Sequence, residues 1–129
     1  MITATSIELF KNLIQYDYDG LYYDFHNDYI CEKLSCSNGI LRILLKSLVN
    51  GNFLSLKFLE VKVTDFIFFN VERTDSLTLD NLYRGRFEFN GELIEVYRED
   101  FGYFYLEFYE GQKLEFWAKH IDVKVHSKH

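Results

Sequence analysis

This sequence predicts a mainly antiparallel all-β fold with one short N-terminal helix, and three observations lead to it. Asn-Gly pairs stand at Asn38-Gly39, Asn50-Gly51 and Asn90-Gly91. Runs in which bulky apolar residues alternate with polar ones flank each pair. Phe, Tyr and Trp make up 19% of the chain and Pro is absent. A type I′ hairpin turn needs positive φ at both central residues, which Asn tolerates and Gly adopts freely. Aromatic rings suit a pleated surface, and a chain without Pro keeps every amide available to a ladder.

The N-terminal segment carries a capping-box pattern, Thr5-Ser6-Ile7-Glu8, and then places Ile7, Phe10 and Ile14 near one helical face. Residues 16–20 end this helix and lead to a strand over residues 21–25. From there the apolar pattern has period two. A two-residue turn at Asn38-Gly39 sets Cys36 opposite Leu41 and Leu34 opposite Ile43, with Ser35 and Arg42 on the other face. Cys36 is therefore expected in the core and Cys31 on the polar face opposite Lys46. In this register Glu32 falls opposite Leu45 on the core side, the weakest point of the pattern.

A two-residue turn at Asn50-Gly51 puts Leu45 opposite Leu56, Ile43 opposite Phe58 and Ser47 opposite Leu54. At Asn90-Gly91 the same geometry pairs Phe87 with Ile94 and Arg86 with Glu95, and opposite charges across a strand pair help fix register. The Glu110-Gly111 turn behaves differently. A two-residue loop there leaves no clean apolar face, whereas a three-residue loop, Tyr109-Glu110-Gly111, gives Gly the left-handed position of a bulged turn. It pairs Leu106 with Leu114 and Phe104 with Phe116 on one side, and Glu107 with Lys113 and Tyr103 with Trp117 on the other.

Two runs change phase, near Leu59-Glu60 and near Lys119-His120, so the strands there should bend at bulges and either pass from one sheet to another or coil around a core. Residues 75–83, with Leu77, Leu79 and Leu82, read as a short helix or a crossover loop. The sum is an antiparallel β-sandwich or partly open barrel of about eight or nine strands. A chain of 129 residues is about one domain, and nothing in its composition suggests a linker.

The formal net charge of −6 argues against a nucleic-acid partner, whose phosphates would need a Lys- and Arg-rich surface, and favours a basic one. Apolar runs never exceed four residues, too short for a membrane span or a signal peptide. A cytoplasmic setting follows. Cys31 and Cys36, roughly 16 Å apart on one extended strand, cannot pair with each other and read as reduced thiols.

Chemistry-bearing patterns are sparse. Asp17-Tyr18-Asp19-Gly20 looks like part of a calcium loop, but Gln15 occupies the first ligand position and His26 stands where the bidentate Glu belongs. His26, Cys31 and Cys36 do not converge on a zinc ion if the two thiols share a strand. His120 and His126 lie roughly 20 Å apart on an extended strand, and His129 is terminal. No nucleophile elbow, phosphate loop or dinucleotide fingerprint is present, so the sequence nominates no catalytic residue, metal ligand or cofactor.

The suggestive surface is the face bearing Tyr103, Tyr105, Tyr109 and Trp117 beside Glu107 and Glu115. These rings point away from the expected core, and Tyr and Trp are enriched at protein interfaces. The bland reading packs this face under the N-terminal helix or residues 75–83. An exposed aromatic sheet face would also suit a homodimer.

Phe25-His26-Asn27-Asp28-Tyr29-Ile30, Leu56-Lys57-Phe58-Leu59-Glu60-Val61 and the run from Leu114-Glu115-Phe116-Trp117 to Ala118-Lys119-His120-Ile121-Asp122-Val123 carry a family likeness. Over residues 21–125 the chain resembles small acidic bacterial immunity-type proteins built from β-strands. The resemblance implies a non-catalytic protein that binds and blocks a cognate toxin, and transfers no particular contact residue. A second expectation is a small-molecule-binding sandwich or barrel with a pocket lined by Phe87, Phe89, Phe104 and Phe116. An enclosed cavity of about 300 Å³ or more would mark it.

Overall fold

The computed structural model describes residues 2–3, 15–18, 21–67, 78–84, 86–95, 97–109 and 111–126. Strands β1 (Ile2–Thr3), β2 (Gln15–Tyr18) and β3 (Leu21–Asp24) precede the long β4 (Tyr29–Ser37), β5 (Ile40–Ser47) and β6 (Phe53–Leu59). Then come β7 (Lys62–Ile67), β8 (Leu79–Arg84), β9 (Arg86–Phe89), β10 (Glu92–Glu95) and β11 (Tyr97–Arg98). The chain ends in β12 (Phe101–Phe108), β13 (Lys113–Ala118) and β14 (His120–His126). The helix expected around Ile7, Phe10 and Ile14 lies outside the described residues, as do Asp19 and Gly20.

Period-two alternation decides which side of each strand meets the core. β5 buries Leu41, Ile43 and Leu45, β6 buries Leu54, Leu56 and Phe58, β12 buries Phe104, Leu106 and Phe108, and β13 buries Leu114, Phe116 and Ala118. One sheet runs β1-β14-β6-β5-β4 and another β11-β12-β13-β7, with β8 also paired to β12. All pairings in both are antiparallel. The sheets meet through aromatic rings. Phe58 of the first stands edge-on to Phe104 at 5.3 Å and Phe116 at 4.9 Å of the second, and those two stack at 5.6 Å. Full burial of such side chains contributes about 1.5–3 kcal/mol each.

The sheets are continuous at one corner, where both expected bends occur. Glu60, at φ 55°, turns the chain from β6 into β7, and Lys119 links β13 to β14. Pairing persists through the bend: Trp117 faces Lys62, the Lys119 N–H donates to the Leu59 carbonyl at 3.0 Å, and His120 faces Leu59. No described strand closes the opposite side into a barrel, since β4 and β8 are not hydrogen-bonded partners.

The turns at Asn38-Gly39 and Asn90-Gly91 have positive φ at both residues, 52° and 73° in the first and 52° and 80° in the second. Next to these turns the registers, including Cys36 with Leu41, Phe87 with Ile94 and Arg86 with Glu95, are the expected ones. The three-residue loop also forms: Phe108 N–H donates to Gln112 O at 2.8 Å, Gly111 has φ 101°, and Leu106 and Phe104 face Leu114 and Phe116.

Four expectations need correction. Asn50-Gly51 sits in a four-residue loop closed by Ser47 N–H to Asn52 O at 2.7 Å, so Leu45 faces Leu54, Ile43 faces Leu56 and Leu41 faces Phe58. The Ser47 hydroxyl accepts the Val49 and Asn50 N–H groups at 3.1 and 3.2 Å, a local network that a two-residue turn cannot make. Residues 16–18 belong to β2, a strand facing β3 with Tyr16 opposite Tyr23. Within residues 75–83, Leu79 begins β8, a strand along β12 and neither helix nor loop, with Leu82 opposite Leu106.

The fourth correction exchanges the two cysteines. Register shifts between Cys31 and Lys33, so Glu32 is the extra residue of a bulge and avoids burial of its carboxylate opposite Leu45. Glu32 Oε1 instead lies 3.9 Å from Lys46 Nζ. The shift turns Cys31 inward opposite Leu45, 3% exposed. Cys36 keeps its expected partner Leu41 yet is exposed, one residue from the end of edge strand β4. Both thiols are free.

Candidate functional site

Alternation in β12 and β13 sends Tyr103, Tyr105 and Glu107, and Lys113, Glu115 and Trp117, to the side opposite Phe104, Leu106, Leu114 and Phe116. Register brings them together as Tyr103 with Trp117, Tyr105 with Glu115 and Glu107 with Lys113. Tyr109 lies past the strand end in the turn and is 74% exposed. Edge strand β7 extends the face, placing Lys62 beside Trp117, Asp65 beside Glu115 and Ile67 beside Lys113. Local sequence patterns do not reveal this third row, since β7 and β13 are far apart in the chain.

The side chains hold one another in place. Tyr103 and Trp117 meet edge to face at 5.0 Å, an arrangement worth about 0.5–1.5 kcal/mol beyond area burial. The Tyr103 hydroxyl donates to Glu115 Oε1 at 3.1 Å and lies 2.8 Å from Thr64 Oγ1, which also donates to the Glu115 carbonyl at 3.3 Å. Tyr105 donates to Glu107 Oε2 at 2.9 Å. Lys113 Nζ stands 3.9 Å from both Asp65 Oδ2 and Glu115 Oε2 and 6.0 Å from the Tyr105 ring centre. Partial burial, with the charges of Glu115 and Asp65, raises the Tyr103 pKa above its ordinary value against the opposing effect of the Thr64 hydrogen bond. At one end, Lys62, Arg98, Glu99, Phe101 and Trp117 line an open cleft of about 280 Å³, with Lys62 Nζ 5.5 Å from the Phe101 ring centre.

No family model matches this chain. No curated protein matches it in sequence either. The geometry of the face therefore carries the functional reading.

Asp24 Oδ1 accepts the His26 and Asn27 N–H groups at 3.2 and 3.0 Å, and Oδ2 accepts Asn27 Nδ2 at 2.8 Å. Burial alone would raise its pKa, but these bonds and the nearby His26 outweigh burial and hold it below the ordinary value. Among the described residues no group of three or more His, Cys, Asp or Glu could hold a metal ion. His126 Nε2 lies 3.2 Å from Ser55 Oγ. Of the expected pocket lining, Phe104 and Phe116 pack against Phe58, and the side chains of Phe87 and Phe89 lie outside the described ones. No helix among the described residues is long and apolar enough to cross a membrane.

Proposed function

We propose that this chain is a non-catalytic protein-binding module whose contact surface is the outer face of β7, β13 and β12, centred on Tyr103, Tyr105, Glu107, Glu115 and Trp117 and flanked by Tyr109. The observation that carries this reading is a half-exposed aromatic and carboxylate array already locked by its own hydrogen bonds. A face whose rotamers are fixed before binding loses little entropy on association. Asp65, Glu107 and Glu115 suit a basic partner, and mutual steering would then speed encounter. The backbone of β8 lies beside β12 within the sheet and not across this face.

The two sheets are read as a sandwich joined at the Glu60 and Lys119 corner, which makes the aromatic face one of its flat exteriors. An immunity protein that neutralises a cognate toxin is the specific form of this proposal, and its compartment is the cytoplasm, where Cys31 and Cys36 stay reduced. Co-purification at native abundance tests it, with the toxin encoded beside the gene as the defined bait. Capture of that toxin, weakened about thirtyfold or more by Trp117→Ala or Tyr105→Ala, is the expected outcome. Equal capture by both variants at unchanged thermal stability would refute the face, and no binding of the toxin would refute the immunity form.

A further inference from the structure

The outward sides of β4, β5, β6 and β14 carry a different chemistry. Register aligns Lys33, Leu44, Ser55 and Lys124 in one row across the four strands, and Ser35, Arg42, Lys57 and Asp122 in the next. Neighbouring strands lie about 4.8 Å apart and alternate residues along a strand about 6.6 Å. Lys33 and Lys124 thus flank a floor of Leu44 and Ser55, while Arg42 and Lys57 close one side. The structure has an open cleft of about 320 Å³ here, lined by these residues together with Ser35 and His126. His126 stands against Ser55.

In a chain of net charge −6, this is a concentrated exception. Lys124 has Asp122 at 3.9 Å and the neighbouring Lys46 has Glu32. Lys33, Arg42 and Lys57 have no carboxylate in ion-pairing range among the described residues. Unneutralised cations around one concavity repel each other unless an anion joins them.

We propose that this cleft binds a compact di- or triphosphate. Phosphate oxygens accept the forked donors of a guanidinium and the point charges of ammonium groups, and the serine hydroxyls supply neutral donors between them. The ring spans three strand spacings from Lys33 to Lys124, roughly 14 Å, wider than one tetrahedral anion bridges. A nucleic-acid strand fits less well, because no Phe, Tyr or Trp among the described residues lines the cleft as a platform on which bases could stack. The site lies on the sheet opposite the aromatic face and does not depend on the protein-binding reading.

Isothermal titration of the full chain at fixed ionic strength, with ADP and inorganic tripolyphosphate as probes, tests the proposal. Both should bind with dissociation constants below about 100 μM, with sulfate at least about tenfold weaker, and Arg42→Ala with Lys57→Ala should weaken both probes about tenfold or more. Lys33→Gln serves as the milder variant should the double substitution disturb folding, and Lys113→Ala on the other sheet should change nothing. Absence of binding, sulfate binding equally well, or insensitivity to the cleft variants would overturn the proposal. Tighter binding of a twelve-nucleotide oligothymidylate or of a poly-glutamate peptide would overturn it in favour of a strand- or protein-docking face.

Discussion

Gln112 is 1% exposed, and among the described residues neither its Oε1 nor its Nε2 has a hydrogen-bond partner. A buried amide left unpaired costs about 1–3 kcal/mol. Gln112→Leu should therefore raise stability by about 1 kcal/mol in urea denaturation, and a loss of stability would mean that the amide is paired. Cys31 offers a second test. Burial pushes its thiol up to about 11 from an ordinary 9.0, with the Glu32 charge adding to the rise and a contact to the Lys33 carbonyl at 3.6 Å opposing it. The folded state keeps this proton over a range in which the unfolded chain releases it. The Cys31 contribution to stability is thus full below pH 9.0 and falls as pH rises toward 11. At pH 8, DTNB should titrate one thiol quickly and the second only on unfolding, with Cys36→Ser abolishing the fast phase. Two fast thiols would contradict the burial of Cys31. Alternation could not assign the cysteines correctly, because a single extra residue at Glu32 reverses the facing of everything on one side of it.

Strands and turns were legible where chemistry was local. Asn38-Gly39 and Asn90-Gly91 adopt the two left-handed residues that their composition favours, and the need to unite Leu106 with Leu114 and Phe104 with Phe116 selected the three-residue loop at Gly111. Asn50-Gly51 misled for a definable reason. Moving the register by two residues leaves Ile43, Leu45, Leu54 and Leu56 on the same face, so hydrophobic pattern alone does not distinguish the two pairings. The Ser47 hydroxyl decides between them. Positive φ supplies tests of both signs. Gly111→Ala, at φ 101°, should cost about 1–3 kcal/mol. Glu60→Gly, which relieves φ 55° at the corner, should be neutral or stabilising by up to about 1 kcal/mol. Thermal melts of both variants check the pair, and a marked loss in Glu60→Gly would mean that the side chain, not the backbone, holds the bend.

Across the whole molecule, the core depends on three rings from two sheets. Phe58→Ala should cost about 3–5 kcal/mol, and a loss under about 1 kcal/mol in chemical denaturation would show that the sheets do not meet there. The aromatic exterior could be read from β12 and β13 alone, since one hairpin builds most of it. The Lys62 and Asp65 row could not, because it depends on a pairing across the chain. Net charge concealed the opposite exterior: a total of −6 gives no hint that Lys33, Arg42, Lys57 and Lys124 share one cleft, and only the strand registers gather them. Trp117 is the sole tryptophan, so acrylamide quenching of its fluorescence, with and without the bound partner, probes the aromatic face directly. Ready quenching in the free protein and strong shielding in the complex are expected. Shielding already present in the free protein, or none gained on binding, would contradict an open contact surface around Trp117.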